Sequence, residues 1–155
     1  MRRRAAVQRK IMPDAKYNNI LVTRFINYLM LDGKKATIEK SVYLAFESIK
    51  EKSKKDALEV FKEAIYKVTP KIEVRSRRIG GATYQIPVEV SERRGISLAL
   101  KWMVTAVRKN TGKTLSDKVY KATMDVMNNT GWAFKKKEDV FRMAESNKAF
   151  AHFSW

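Results

Sequence analysis

Lys71-Ile72-Glu73-Val74-Arg75-Ser76-Arg77-Arg78-Ile79-Gly80-Gly81-Ala82-Thr83-Tyr84-Gln85-Ile86-Pro87-Val88-Glu89-Val90 is the stretch on which the fold turns. Within it the apolar period drops from the helical repeat of its flanks to two. Ile72, Val74, Ser76 and Arg78 alternate against Glu73, Arg75, Arg77 and Ile79, and Gly80-Gly81 permits a tight reversal. Tyr84, Ile86 and Val88 begin the return strand. Pro87 has no N–H to donate to a ladder, which confines its strand to an edge. The segment is predicted as an isolated two-stranded arm, with roughly seven residues per strand reaching about 20 Å at ~3.3 Å each.

Upstream of the arm the spacing predicts three helices. Leu21, Val22, Phe25, Ile26, Leu29 and Met30 place the first over residues 17–31, with Asp32-Gly33 as its stop. Ile38, Val42, Ala45, Phe46 and Ile49 form the apolar stripe of a second, which starts after Lys34-Lys35 and gives way to a turn over residues 51–55. Asp56 with Glu59 has the form of a capping box, and Leu58, Phe61, Ile65 and Val68 carry a third helix to Pro70. Downstream, Ser91 is a credible N-cap for a fourth helix carrying Ile96, Leu100, Met103, Val104 and Val107, which ends near residues 110–112. Thr114 caps a fifth with Leu115, Val119, Ala122 and Val126, closed by residues 128–131. A last helix is expected after Lys135-Lys136-Lys137, with Val140, Met143 and Ala144 facing inward. The fold class is therefore mainly α. One domain over residues 1–155 holds about six helices, and the β-hairpin, residues 71–90, projects between helices three and four. A basic N-terminal arm, residues 1–16, and a C-terminal tail, residues 149–155, flank it.

The chain has 155 residues, 45% of them hydrophobic, which is enough to bury one continuous core without cross-links. Thirty-three Lys and Arg against sixteen Asp and Glu leave a net charge of +17, far beyond what solubility asks of a small domain. A polyanion is the economical partner, and nucleic acid leads because each phosphate contact releases condensed counterions. A membrane would want a lipid anchor or an amphipathic helix with a free apolar face, and neither is visible. With no cysteine, disulfides, thiolate nucleophiles and zinc fingers are excluded, and the cytosol is the default compartment. The N-terminus lacks the apolar region of a signal peptide, so the mature chain is expected to be the whole chain. The arm carries six basic groups and one acid without periodicity, and is expected to order only on binding.

Catalytic chemistry finds little to work with. The only histidine, His152, has no acid or nucleophile beside it in sequence. Thr111-Gly112-Lys113-Thr114 imitates the end of a phosphate-binding loop, but Val107 stands where that motif needs glycine and a helix precedes it instead of a strand. Glu138, Asp139 and Glu145 read as helix-dipole and i,i+4 partners of Arg142 and Lys148, not as a metal or catalytic pair. No cofactor, metal or enzymatic activity is expected. A single basic run is most often a solvated face. Four such runs, Arg2 to Lys10, Lys34-Lys35, Arg75 to Arg78 and Lys135 to Lys137, gather at ends, loops and the hairpin, which favours a binding surface. Phe25, Phe46 and Phe61 sit on core stripes; Tyr84, Trp132 and Phe134 stack on bases or cover the core, and spacing does not separate these readings.

In Met12-Pro13-Asp14, Phe25-Ile26-Asn27 and Met30-Leu31-Asp32-Gly33-Lys34-Lys35 the chain resembles the family of the seventh protein of the bacterial small ribosomal subunit. The block from Lys71 to Val90 is similar to that family's most characteristic segment, as are Lys135 to Val140, Arg142 to Glu145 and Ala149 to His152. These blocks keep the family's order over essentially the full chain. The resemblance implies a primary binder of the 3′ domain of small-subunit ribosomal RNA that nucleates head assembly. It also implies a hairpin near exit-site tRNA and the mRNA path, contact with the eleventh protein of the subunit and neighbouring head proteins, and residence on a cytoplasmic ribosome in preference to an organellar one.

Candidate RNA-binding residues are Arg2, Arg3, Arg4, Arg9, Lys10, Lys34, Lys35, Arg75, Arg77, Arg78, Arg93, Arg94, Lys101, Lys135, Lys136, Lys137, Arg142 and Lys148. Arg77, Arg78, Gly80, Gly81 and Tyr84 are the candidates on the hairpin for proximity to tRNA and mRNA. The alternatives are weaker. A DNA-binding architectural protein would want a recognition helix beside a dimer interface, and an RNA-modifying enzyme would want catalytic residues and a cofactor loop. No DNA partner is expected.

Overall fold

The computed structural model describes residue 4 and residues 9–153. Among these residues six α-helices, α1 (Ile20–Leu29), α2 (Lys35–Ser53), α3 (Ala57–Val68), α4 (Glu92–Lys109), α5 (Leu115–Met127) and α6 (Gly131–Ser146), surround one core. The strands β1 (Ile72–Ile79) and β2 (Ala82–Glu89) lie between α3 and α4, and a 3-10 helix (Lys148–Phe153) follows α6. The mainly helical class and the position of the hairpin are as the sequence predicts.

The apolar stripes converge on three phenylalanines. Phe25 of α1 and Phe46 of α2 each meet Phe61 of α3, at ring-centroid distances of 5.1 and 5.2 Å. All three are fully buried, with Ile65, Leu100, Met103 and Val119 closing around them. Each such side chain contributes about 1.5–3 kcal/mol by leaving water, and each tilted ring pair adds about 0.5–1.5 kcal/mol.

Helix ends depart from the predicted bounds for local reasons. Tyr17 is not helical: Asp14, 7% exposed, folds residues 14–17 into a turn in which its Oδ2 accepts from the N–H groups of Lys16 (3.1 Å) and Tyr17 (3.0 Å). Its Oδ1 accepts from the Tyr43 hydroxyl at 2.8 Å, and burial together with this bond pushes the Tyr43 phenol up to about 12. The chain is therefore anchored from Asp14 onward, which takes in the last three residues of the expected arm, Asp14, Ala15 and Lys16. Asn19 then caps α1 by accepting from Leu21 N–H at 2.8 Å. The expected turn over residues 51–55 is mostly helix, since α2 runs to Ser53 and stops at Lys54 in the left-handed region. Asp56 accepts from Leu58 N–H at 3.4 Å without a reciprocal bond from Glu59. The full capping box is made by Thr114 and Asp117 at the start of α5. Ser91 occupies the N-cap of α4 but makes no side-chain cap bond.

The last helix shows the largest correction. Gly131, read as a terminator of α5, has φ +82 and opens α6 directly, because Thr130 N–H and Oγ1 both donate to the Asp125 carbonyl and fold α5 back within three residues. Trp132 and Phe134 consequently lie on the helix and not in a preceding loop, and Lys135, Lys136 and Lys137 lie within it. Ala133 and Ala144 face the interior, whereas Met143 is 46% exposed.

The hairpin pairs Ile72 with Glu89 through Ile79 with Ala82 in antiparallel register. Gly80 (φ +56) and Gly81 (φ +89) supply the two left-handed residues of its turn. Two strands are too few to persist alone in water. Ile86 is fully buried on the helical side, and the Tyr84 ring lies 5.3 Å from Phe150 and 5.8 Å from Phe153 of the 3-10 helix. Beyond the Arg77–Tyr84 pair, Arg78, Gly80, Gly81, Ala82 and Thr83 are exposed.

At the other end of the arm α4 passes close to the end of α3. A Cβ on Gly95 would stand 2.8 Å from Thr69 Cγ2 and 3.2 Å from the Pro70 carbonyl oxygen. Gly95→Ala gains up to about 1 kcal/mol of helix propensity but forces a packing shift of about 1–3 kcal/mol. The expected result is a net loss on the order of 1 kcal/mol, measured as a lower urea midpoint at unchanged slope.

Candidate nucleic-acid interface

The base of the hairpin is joined to α4 by one acid. Glu73 on β1 is 7% exposed. Its Oε1 accepts from Arg75 Nε at 2.6 Å, and its carboxylate accepts from Arg94 Nε at 2.9 and 2.7 Å. Burial acts to raise the Glu73 carboxyl, but the Arg94 and Arg75 guanidiniums outweigh it and hold the group below its ordinary 4.5. Both arginines remain half-exposed, so each keeps an outward edge for another anion.

A second junction is made by lysines and backbone carbonyls. Lys67 Nζ donates to the Met127 carbonyl at 3.1 Å, and Lys137 Nζ donates to the Lys67 carbonyl at 2.6 Å. Cations thereby satisfy the C-terminal ends of α5 and α3, where the helix dipole is negative. Lys137 is accordingly held within the fold, while Lys135 is exposed and Lys136 is partly exposed on the same helix.

The other candidates fall into groups. Arg4, Arg9 and Lys10 are exposed; Arg2 and Arg3 lie outside the described residues, as does the expectation that they order on binding. Lys34 is exposed at the N-cap of α2, and Lys35 pairs with Glu39 at 3.4 Å. Arg77 and Arg78 are exposed on β1 opposite Tyr84 and Thr83, with Gly80 and Gly81 exposed at the turn. Arg93 is exposed at the start of α4, and Lys101 is exposed two turns on. Arg142 is exposed on α6, and Lys148 borders an apolar groove shared by Ile72, Pro87 and Ala144.

Spacing gave no sign of Arg24, a lone cation in the middle of α1. Its Nη2 donates to Ser97 Oγ at 2.7 Å, and it lines a cavity with Arg93, Asn27 and Tyr28. That cavity shares Ile11 and Asn27 with a neighbouring cleft that reaches Lys35. Lys35, Arg24, Arg93, Arg94, Arg75, Arg77 and Arg78 thus follow one another from α2 across α1 and α4 onto the hairpin. The three undecided aromatics have intramolecular neighbours: Tyr84 has Phe150 and Phe153, Trp132 has Lys109 Nζ 4.5 Å from its ring, and Phe134 has Lys137 Nζ at 5.8 Å. His152 is exposed, its ring 3.9 Å from Phe153.

Residues 1–148 match the family model described as ribosomal protein S7p/S5e. The chain belongs to that family. Among curated S7p/S5e relatives, the protein named small ribosomal subunit protein uS7 from Thermotoga neapolitana is 54% identical over 155 residues, covering all of both chains. Proteins of the same name from Helicobacter hepaticus, 52% identical over all of both chains, and from Dictyoglomus thermophilum, 52% identical over 99% of each, are similarly close. Members of this family are structural, non-enzymatic components of the ribosome, which bears out the expectation that the chain is not an enzyme.

Two outcomes test these junctions. The folded-state pKa of Glu73 is depressed, so its stabilising effect is present above about pH 4.5 and is lost as pH falls through the lower folded value. The stability difference between wild type and Glu73→Gln, measured by urea denaturation across pH 2.5–7 as a proposed range, is therefore expected to be largest above about 4.5 and to close below it. Lys137→Ala should cost about 1–2 kcal/mol in the same assay, while the double variant Lys135→Ala, Lys136→Ala stays within about 0.5 kcal/mol of wild type.

Proposed function

We propose that this chain is a structural constituent of the small ribosomal subunit that binds the 3′ domain of its ribosomal RNA as a primary binder and nucleates assembly of the head. The strip of cations from α2 to the hairpin carries this reading, backed by the +17 net charge and by relatives whose names place them in the small subunit. A-form RNA hides its base edges in a deep, narrow groove, so a folded target is recognised through phosphates, 2′-hydroxyls and junction geometry. Rigid helices set the geometry. Arginines with one edge fixed and one edge outward grip phosphates bidentately. The basic N-terminal arm threads between RNA helices, and the hairpin end beyond Tyr84 lies near exit-site tRNA and the mRNA path. The eleventh protein of the subunit and neighbouring head proteins complete the set of partners, on a cytoplasmic ribosome.

In this division of labour the core strip binds ribosomal RNA and the hairpin end serves the exit site. Replacing residues 78–83 by Asn-Gly closes the ribbon on the Arg77–Tyr84 pair, which has the same pairing type as Ile79–Ala82, and spares the contact of Tyr84 with the 3-10 helix. The shortened protein should keep its circular dichroism spectrum and its affinity for isolated 3′-domain RNA, with at most about one unit removed from the log-log salt slope. Retention of tRNA at the exit site of reconstituted subunits should fall. Loss of binding to the isolated 3′ domain by a folded variant would instead make the arm the main anchor.

A further inference from the structure

We propose that the cavity between α1 and α4 is a binding site for one unstacked nucleotide of the RNA. Its phosphate would lie on Arg24 and Arg93, its base against Tyr28, and its base edge within reach of the Asn27 amide. The inference rests on the RNA-binding reading above and adds to it a site that no run of basic residues marks.

Arg24, Asn27 and Tyr28 share one face of α1, at positions i, i+3 and i+4, and Arg93 and Ser97 share the facing side of α4. Together with Ile11 they line a cavity of about 340 Å³, near the low end of the ~300–1,000 Å³ usual for small-ligand sites. No acid lines it. Arg24 is only partly exposed, and no salt bridge joins it to an acid among the described residues. A cation partly withdrawn from water without a counter-ion is destabilising unless an anion arrives.

The guanidinium is also held in place beforehand. Ser97 Oγ accepts from Arg24 Nη2 at 2.7 Å, while its own proton goes to the Arg93 carbonyl at 3.0 Å. With the hydroxyl proton committed, the oxygen lone pairs face Arg24 and fix one edge of the fork, leaving its remaining donors for a phosphate. The remaining walls suit a nucleoside better than a bare anion. Tyr28 offers a ring for stacking, and Asn27, with an exposed side chain, offers one donor group and one acceptor, the pairing that nucleobase edges present.

The test uses the full chain, isotopically labelled, titrated in parallel with adenosine 5′-monophosphate and inorganic phosphate and followed by NMR. The monophosphate should shift the Arg24 Nε–H, the Asn27 side-chain amide and the Tyr28 ring together, whereas phosphate should shift the arginine alone. With 3′-domain RNA, Arg24→Gln should raise Kd on the order of tenfold and lower the salt slope by about one unit. Asn27→Ala, which removes an exposed uncharged group and leaves the fold intact, should raise Kd by about threefold at unchanged slope. If the two titrations give the same shifts, or if Asn27→Ala binds RNA as wild type does, the nucleotide site is refuted while RNA binding stands. If wild type fails to bind the RNA, the broader reading falls, and the monophosphate titration still judges the cavity by itself.

Discussion

A ribbon of two strands has no core of its own, and this one carries three arginines on a single strand. The ion cluster of Glu73 with Arg75 and Arg94 answers both problems at one point. The carboxylate lies at the foot of β1, spans to the first turn of α4, and removes one unit of charge from a crowded surface. Remove its charge and two guanidiniums are left at the joint without a counter-ion between them, so the foot of the hairpin depends on this acid as its outer part depends on Ile86 and Tyr84.

The acids of the chain are few, and the structure places several of them at joints. Asp14 fixes the entry of the N-terminal arm, Asp56 and Asp117 hold the starts of α3 and α5, and Glu47 holds Lys16 at 2.7 Å. On the outer strip Lys35, Arg75 and Arg94 have acid partners, yet Arg75 and Arg94 stay half-exposed beside the one carboxylate they share. Two arginines share the single charge of Glu73, so positive charge stays in excess along the strip, and a polyanion gains there.

Much of this organisation was legible from spacing alone. Helical stripes led to Phe25, Phe46 and Phe61, and the change of period at Ile72 located the hairpin, because core burial imposes those repeats directly. Features made by single side chains were not legible. The Asp14 turn depends on Tyr43, which lies far away in sequence, and Gly131 has the same appearance whether it ends one helix or opens the next. A basic run cannot tell an outward lysine such as Lys135 from one such as Lys137 whose ammonium closes a helix end. Arg24 gives no signal in the sequence because its anchor, Ser97, lies on another helix.

The packing of Tyr84 on Phe150 and Phe153 has a consequence for the order of events during synthesis. The hairpin is made well before Phe150 and Phe153, which supply the surface that supports it. At ~5–20 residues per second the two halves of that contact are separated by roughly 3 to 13 s, a long time beside the ~1–10 μs in which a hairpin forms. Throughout that interval the ribbon can form and open but lacks the outer buttress that holds it. The arm therefore takes its final direction only after Phe153 has been made and released to fold, and a shorter nascent chain presents an arm that is not yet aimed.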